Sequence, residues 1–182
     1  MAIELAQASG GGFPMNIVPQ RFDERELRNV LGTFVTGVTV VTTRDEAGTP
    51  HGVTANSFSS VSLDPPPILW SQSLTSRSYP AFRESDHFVI NILADDQVGL
   101  ANHFAGKSED KFHAIDHEDG LFGAPVLPGA AAWLECLKVA AYPGGDHTIY
   151  LGRVERFTNA RRRPLVFGAG EYLMTSPHLF AA

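Results

Sequence analysis

At 182 residues, 43% of them hydrophobic, the chain is long enough for one well-filled core and short for two. A net charge of −6 excludes a general binder of nucleic acid, which neutralises phosphates with clustered Lys and Arg; the one basic run, Arg161 to Arg163, reads as the cap of a solvated turn. The single cysteine, Cys136, excludes an intrachain disulfide and a thiolate metal cluster, and fits a reducing cytosol.

The opening stretch MAIELAQASGGGFP lacks the basic flank and apolar core of a signal peptide. No apolar run reaches the roughly 18 residues that span a bilayer, so the chain is expected to be soluble and cytoplasmic. Residues 1–20 read as a flexible arm and 21–182 as one domain. From Asp23 the pattern turns helical. Asp23 is placed to cap, Glu26 follows as in a capping box, and Leu27, Val30, Leu31 and Phe34 share a face expected to pack on a sheet.

GVTVVTT from Gly37 is β-branched, RDEAGTP is rich in turn formers, and HGVTANSF resumes the strand pattern, which predicts a hairpin. Pro65 to Pro67 interrupt the ladder, and ILWSQS restarts it as an edge or bulged strand. A short helix is expected near SRSYPAFRES, a strand over HFVINIL and a helix from Asp95 or Asp96 through QVGLANHFA. Strands then return in AAWLECLKVAAY, HTIYLGRVERF and PLVFGAGEYL. Consecutive strands with few, short helices predict a mainly β, mostly antiparallel barrel rather than a parallel doubly wound sheet. Neither G-x-G-x-x-G opening a helix nor G-x-x-x-x-G-K-[ST] is present.

One segment resists a purely structural reading. Thr54, Asn56, Ser57, Ser59, Ser60 and Ser62 put six uncharged polar side chains into nine residues. Unpaired polar groups taken out of water cost roughly 1–3 kcal/mol each, so these bond to backbone, to water or to a polar ligand. Next along the chain, SQSLTSRSYP gathers Ser71, Ser73, Thr75, Ser76 and Ser78 around Arg77. Hydroxyls, backbone N–H groups at a helix start and a guanidinium make a phosphate cradle; an ordinary N-cap beside a surface arginine is the plainer alternative.

In GGDHTIYLGRV, His147 follows two glycines and Asp146 at a strand entrance, where the carboxylate fixes a ring of functional or merely structural role. In NHFAGKSEDKF, Phe104 and Phe112 suit a core and Lys107, Glu109 and Lys111 a solvated helix end. His113 and His117 are four apart, but the loop-like DHEDG indicates no third ligand, so no metal is expected. No G-x-S-x-G elbow supports a serine hydrolase.

Taken together, LGTFVTGVTVVTT, GVTANSFSSVSLDPPPILW, SRSYPAFRESDHFVINIL, LANHFAGKSEDKF and GGDHTIYLGRVERF resemble, in order and spacing, the flavin reductase-like family, from about Phe22 to Tyr172. Its best-known members are the reductase components of two-component flavin monooxygenases. The resemblance implies a split antiparallel β-barrel that forms a homodimer, binds FMN or FAD and takes hydride from a reduced nicotinamide stacked on the flavin. Carried over by position, it implies Thr36, Gly37 and Val38 near the flavin, and Thr54, Ala55, Asn56 and Ser57 along its ring and ribityl chain. It implies Ser71, Ser76, Arg77 and Ser78 near the phosphate, Phe104, Lys111 and Phe112 on the pocket flank, and Tyr172 closing the site. His147 matches the histidine associated with nicotinamide binding and hydride transfer, as an orienting residue rather than an obligatory base. The absence of an obvious arginine pair for a 2′-phosphate favours NADH over NADPH. Two functions follow from the resemblance: a reductase that supplies reduced flavin to a partner monooxygenase, or a non-enzymatic flavin-binding protein or electron carrier that keeps its flavin.

Overall fold

The computed structural model describes residues 22–108 and 110–177; the arm expected over residues 1–20 lies outside them. The first helix, α1 (Glu24–Leu31), is capped by Asp23, whose Oδ1 accepts from the backbone N–H of Arg25 (2.8 Å) and Glu26 (3.2 Å). Its apolar face does not pack on a sheet as expected. None of its residues is buried, Val30 is 61% exposed, and Phe34 just beyond it is 77% exposed. The cause is the exit of the helix: the Gly32 carbonyl accepts from Ala169 N–H (2.7 Å), which ties α1 to a turn at the rim of the molecule.

After β1 (Thr36–Gly37), the strands β2 (Thr39–Arg44) and β3 (Pro50–Ala55) form the predicted hairpin. There follow β4 (Ser59–Ser60), β5 (Pro67–Ser73), α2 (Tyr79–Glu84), β6 (His87–Ile92) and α3 (Val98–Ala105). The chain then makes β7 (Glu118–Asp119), β8 (Pro125–Val126), β9 (Ala132–Gly144), β10 (His147–Asn159), β11 (Val166–Gly168) and β12 (Glu171–Leu173). Seven strands in the order β3-β2-β6-β9-β10-β5-β4 make one antiparallel sheet, a split barrel in which no ladder joins β3 to β5.

Three local expectations are corrected. β5 is an edge only in part, because the short β4 covers Ile68 and Leu69 and leaves Ser71 and Ser73 open, and it carries no bulge; the register shifts lie between β9 and β10, at Leu151/Gly152 and Val154/Arg156. A side chain at Gly152 would overlap the Phe88 ring, so the ladder kinks where only glycine fits. PLVFGAGEYL is a hairpin, not one strand: Ala169 (φ 50°) and Gly170 (φ 85°) turn it, and it joins β1 in a separate three-stranded sheet. Helix α3 starts at Val98 rather than at the aspartates, which instead pair with the basic turn, Asp95 with Arg163 (2.9 Å) and Asp96 with Arg162 (2.5 Å).

Strand alternation puts the two larger core clusters on opposite faces of β2. Val41 joins Trp70, Phe82, Phe88, Ile90 and Tyr150 inside the barrel, while its neighbour Val40 joins Leu93, Phe104, Phe112 and Leu165 beneath α3. Among the described residues no helix is long and apolar enough to cross a membrane, and no group of three or more His, Cys, Asp or Glu converges. Cys136 is buried in the barrel, and burial, helped by Glu135 and Glu155, pushes its thiol up to about 12. Ellman's reagent is therefore expected to leave the native chain unlabelled and to count one thiol once denaturant is added; rapid native labelling would contradict the packing.

Candidate active site

The split in the barrel leaves two strand edges unpaired and facing each other. On one side, Val38 O accepts from Leu93 N–H (3.0 Å), so Val38, Val40 and Thr42 turn their backbone groups toward β6. Their partners Thr54 and Gly52 therefore point away from β2, and Lys111 Nζ meets the Gly52 carbonyl there at 3.4 Å. On the other side, Val154 N–H donates to Pro66 O (3.0 Å), so Ile68, Trp70 and Gln72 face β10 while Ser71 and Ser73 face outward.

A side chain closes the split at one point. Ser57 Oγ accepts from the Ser71 N–H (2.9 Å) and donates to the Ser71 carbonyl (3.0 Å), taking the place of a neighbouring strand just past β4. From this clasp the edges diverge. Replacing Ser57 by Ala removes both bonds and is expected to cost about 1–3 kcal/mol of stability and to accelerate hydrogen exchange of the Ser71 amide. Thr at this position should restore both, and unchanged exchange in the Ala variant would show that the clasp is not formed in solution.

Three cavities follow the split along β3. Nearest the clasp, about 220 Å³ is walled by Val53 to Ser57, Trp70 to Ser73, Ser76 and His147. Next to it, about 420 Å³ is bounded by Pro50, His51, Gly52, Arg77, Ser78, Ser108 and Lys111. On the far side of Asn56, about 560 Å³ lies between α1 and the β11–β12 turn, with Thr36 and Phe167 in its wall. From Pro50 to Asn56 the strand supplies a floor of about 20 Å at the usual rise per residue.

The charge is concentrated in the 420 Å³ cavity. None of its described lining residues is acidic, whereas Arg77 and Lys111 both reach it. Burial, and then the neighbouring Arg77 charge, hold the Lys111 ammonium below its ordinary range. Arg77 donates to the Lys107 carbonyl, and Lys111 Nζ to the Phe104 carbonyl at the end of α3 (2.5 Å), so both cations are held in place by backbone.

The structure distributes the sequence-derived candidates unevenly. Ala55, Asn56, Ser57, Ser71, Ser76 and His147 line the small cavity and Arg77, Ser78 and Lys111 the charged one. Thr54 lines the small cavity too, but its hydroxyl donates to the Ala101 carbonyl (2.7 Å), leaving its backbone for a ligand. Thr36 walls the large cavity, where its buried Oγ1 has no partner; Gly37 is exposed on β1, and Val38 is core. Phe104 and Phe112 are core as well, edge to face at 5.1 Å, and a Cβ on Gly52 would come within 2.5 Å of Phe104. They form the floor under Gly52 and line none of these three cavities. Tyr172 does not line them either; its hydroxyl donates to Asn102 Oδ1 (3.0 Å), pinning β12 to α3.

His147 stands at the open end of β10, its Nδ1 2.7 Å from Asp146 Oδ1. That bond and the His147 charge hold the Asp146 carboxyl below its usual range, so it is ionised near neutrality. In the neutral ring, Nδ1–H donates to this carboxylate and Nε2 is left as an acceptor. Three lining residues escaped the sequence reading. Arg28 and Asn29 on α1 rim the large cavity, and Gln72 lines the small one; a Gln in a row of inward apolar residues, Ile68-x-Trp70-x-Gln72, was the available signal.

The sequence pattern of the flavin reductase like domain matches residues 31–176. The chain is 45% identical over 155 residues to the FMN reductase (NADH) SmoA of Agrobacterium fabrum, covering 85% of this chain and 88% of that one. It is 45% identical over 148 residues to the reductase component of the flavin-dependent trigonelline monooxygenase of Acinetobacter baylyi, covering 81% of this chain. It spans about half the length of that relative (48%) and of one from Rhizobium meliloti (49%). The fold superposes with a TM-score of 0.81 on the NADH:FAD oxidoreductase SgcE6 of Streptomyces globisporus in complex with NAD and FAD fragments, at 40% identity over 86% of this chain and 95% of that one. A polar split between open strand edges, a paired cationic mouth and a match running from α1 to β12 agree: the chain belongs to the flavin reductase-like family.

Proposed function

We propose that the chain is an NADH:flavin oxidoreductase that reduces FMN or FAD and passes the reduced flavin to a partner monooxygenase. The observation that carries the reading is the pair of unpaired strand edges, Gly52–Thr54 against Ser71–Ser73, opening from the Ser57 clasp onto Arg77 and Lys111. A flavin fits this donor set: it has a pyrimidine edge to meet backbone N–H and C=O, a hydroxylated chain to meet Ser and Asn, and a phosphate to meet two cations. The unpartnered Thr36 Oγ1 is a further group waiting for a polar atom. When bound, the flavin supplies a ring that accepts hydride from the nicotinamide. The chain's own residues orient and shield: the open edge of β3 fixes one side of the ring, Arg77 with Ser78 holds the phosphate, and His147 Nε2 accepts from the nicotinamide carboxamide. No side chain has to move a proton for the hydride step.

NADH as donor and a monooxygenase as recipient rest on the names of the similar proteins, SmoA and SgcE6 for the first and the Acinetobacter reductase component for the second. We further propose a homodimer in the cytoplasm. The exposed face of α1 and the Phe34–Val35 segment would be covered by a second copy, and because Leu31 and Phe34 also wall the large cavity, that copy would complete the site.

The test is anaerobic stopped-flow with FMN and FAD against NADH and NADPH, following loss of flavin absorbance. Rapid bleaching with NADH and release of flavin on dilution is the expected result. A protein that stays yellow on dilution and is not bleached by either nucleotide is an electron carrier, and the reductase reading falls. Sedimentation showing a fully active monomer at micromolar concentration removes the dimer.

A further inference from the structure

Gln72 is the one polar residue in the inward row of β5, 2% exposed among apolar neighbours. Its Nε2 donates to Ser78 Oγ (3.1 Å) and, more weakly, to Ser76 Oγ (3.4 Å), and the two hydroxyls lie 3.1 Å apart. Its Oε1 has no partner. Neither has Nε1 of Trp70, which is 0% exposed two residues earlier in the same row. Both residues line the 220 Å³ cavity beside Thr54 to Ser57, their two unpartnered atoms buried rather than open to it.

A buried acceptor and a buried donor left unpaired on one wall are costly to keep, and a fold keeps such groups where something else satisfies them. One chemical group answers both needs. A hydroxyl donates and accepts, so a polyhydroxylated chain lying in this cavity meets Gln72 Oε1 with its hydrogen and Trp70 Nε1 with its oxygen. The terminal torsion of a glutamine is broad, so a small rotation brings Oε1 onto such a chain. The amide end does a second job. Each serine hydroxyl that accepts from Nε2 keeps its own hydrogen; one of the two spans the gap between the serines, and the other is left to donate outward, into the cavity that Ser78 shares with Arg77 and Lys111.

We propose that Gln72 is a specificity-determining residue of this site, its Oε1 selecting the ribityl hydroxyls of the flavin while its Nε2 orients the Ser76–Ser78 pair to donate to the phosphate. The inference rests on the flavin-reductase reading above and deepens it.

Three ligands separate the roles: FMN, riboflavin, which lacks the phosphate, and lumiflavin, which lacks the ribityl chain as well. Affinities are read on the whole chain by fluorescence titration. In Gln72→Leu, riboflavin binding should weaken about tenfold, FMN binding further, and lumiflavin binding not at all. Gln72→Glu keeps an acceptor for the ribityl chain but takes up both serine hydrogens and adds a negative charge, so it should spare riboflavin and penalise FMN. Thermal melting without flavin guards against a folding artefact: Gln72→Leu loses the Nε2 bonds to Ser76 and Ser78 but also a buried unpartnered acceptor, so its ligand-free melting temperature should stay close to that of the wild type. Riboflavin affinity equal to wild type in Gln72→Leu, or lumiflavin affinity falling in parallel with it, overturns the proposal, as does a Leu variant that does not fold while Gln72→Glu binds FMN normally. A wild-type chain that binds none of the three ligands would instead bring down the flavin reading itself, which a normal wild type with an indifferent variant does not.

Discussion

Replacing Arg77 by Ala is expected to weaken FMN binding by roughly 10- to 100-fold while leaving riboflavin binding nearly unchanged, since a charge-assisted hydrogen bond is worth about 1.5–3 kcal/mol. Arg77 and Lys111 are the two cations on the wall of the 420 Å³ cavity. The pH dependence carries the same signature. Because burial and Arg77 lower the Lys111 pKa, its ammonium is lost earlier than usual as pH rises. The phosphate-dependent part of the affinity is thus present below that pKa and lost above it. Removing Arg77 removes one of the two causes of the shift, so the fall-off in the Ala variant should move to higher pH even as the affinity at neutral pH drops. Titrations of FMN and riboflavin from neutral to alkaline pH check both statements. If riboflavin affinity falls as far as FMN affinity, Arg77 acts through the Lys107 carbonyl it also holds, and its role is to shape the loop.

The β2–β3 hairpin was legible because its two β-branched runs flank an unmistakable turn, and the long pair β9–β10 because each strand announces itself over many residues. The packing of α1 was not. An amphipathic pattern states that an apolar face needs cover, but not which surface supplies it, and here no part of the described chain does. The site shows the same division. The polar run from Thr54 to Ser62 was visible as an anomaly, yet the partners that decide each hydroxyl's meaning lie far along the chain: Ala101 for Thr54 and Ser71 for Ser57. Two groups with identical local sequence signals thus have different uses, one tied to a helix and one clasping the barrel. Phe104 and Phe112 sit under Gly52 for a steric reason, the ring beneath a missing Cβ, that a linear reading sees only as two ordinary core residues.

His147 is expected to give the largest kinetic effect. Its ring is fixed at two points, by the start of β10 and by the 2.7 Å bond from Nδ1 to Asp146, and it lines the small cavity opposite Thr54 to Ser57. His147 shares the small cavity, but neither tie involves Gln72, Ser76 and Ser78 or the cations assigned to the flavin's chain and phosphate, so His147→Ala should change flavin affinity far less than it changes the handling of the nucleotide. What it removes is a fixed acceptor for the nicotinamide, and a misplacement of about 1 Å in a reacting pair is worth on the order of 10²-fold in rate. Anaerobic reduction at saturating flavin should therefore slow by about that factor, or the nucleotide KM should rise correspondingly. Asp146→Asn gives the intermediate case: the ring stays in place, but a neutral amide no longer enforces protonation at Nδ1, so part of the population presents Nε2–H instead of an acceptor and the loss should be smaller. A purely structural histidine predicts the opposite pattern, a lower melting temperature with normal kinetics in the molecules that remain folded. Wild-type rates in a folded Ala variant, at both low and high NADH, would take His147 out of the site, and the nicotinamide would then have to be held by the open edge of β3 and by whatever a second copy of the chain brings to the large cavity.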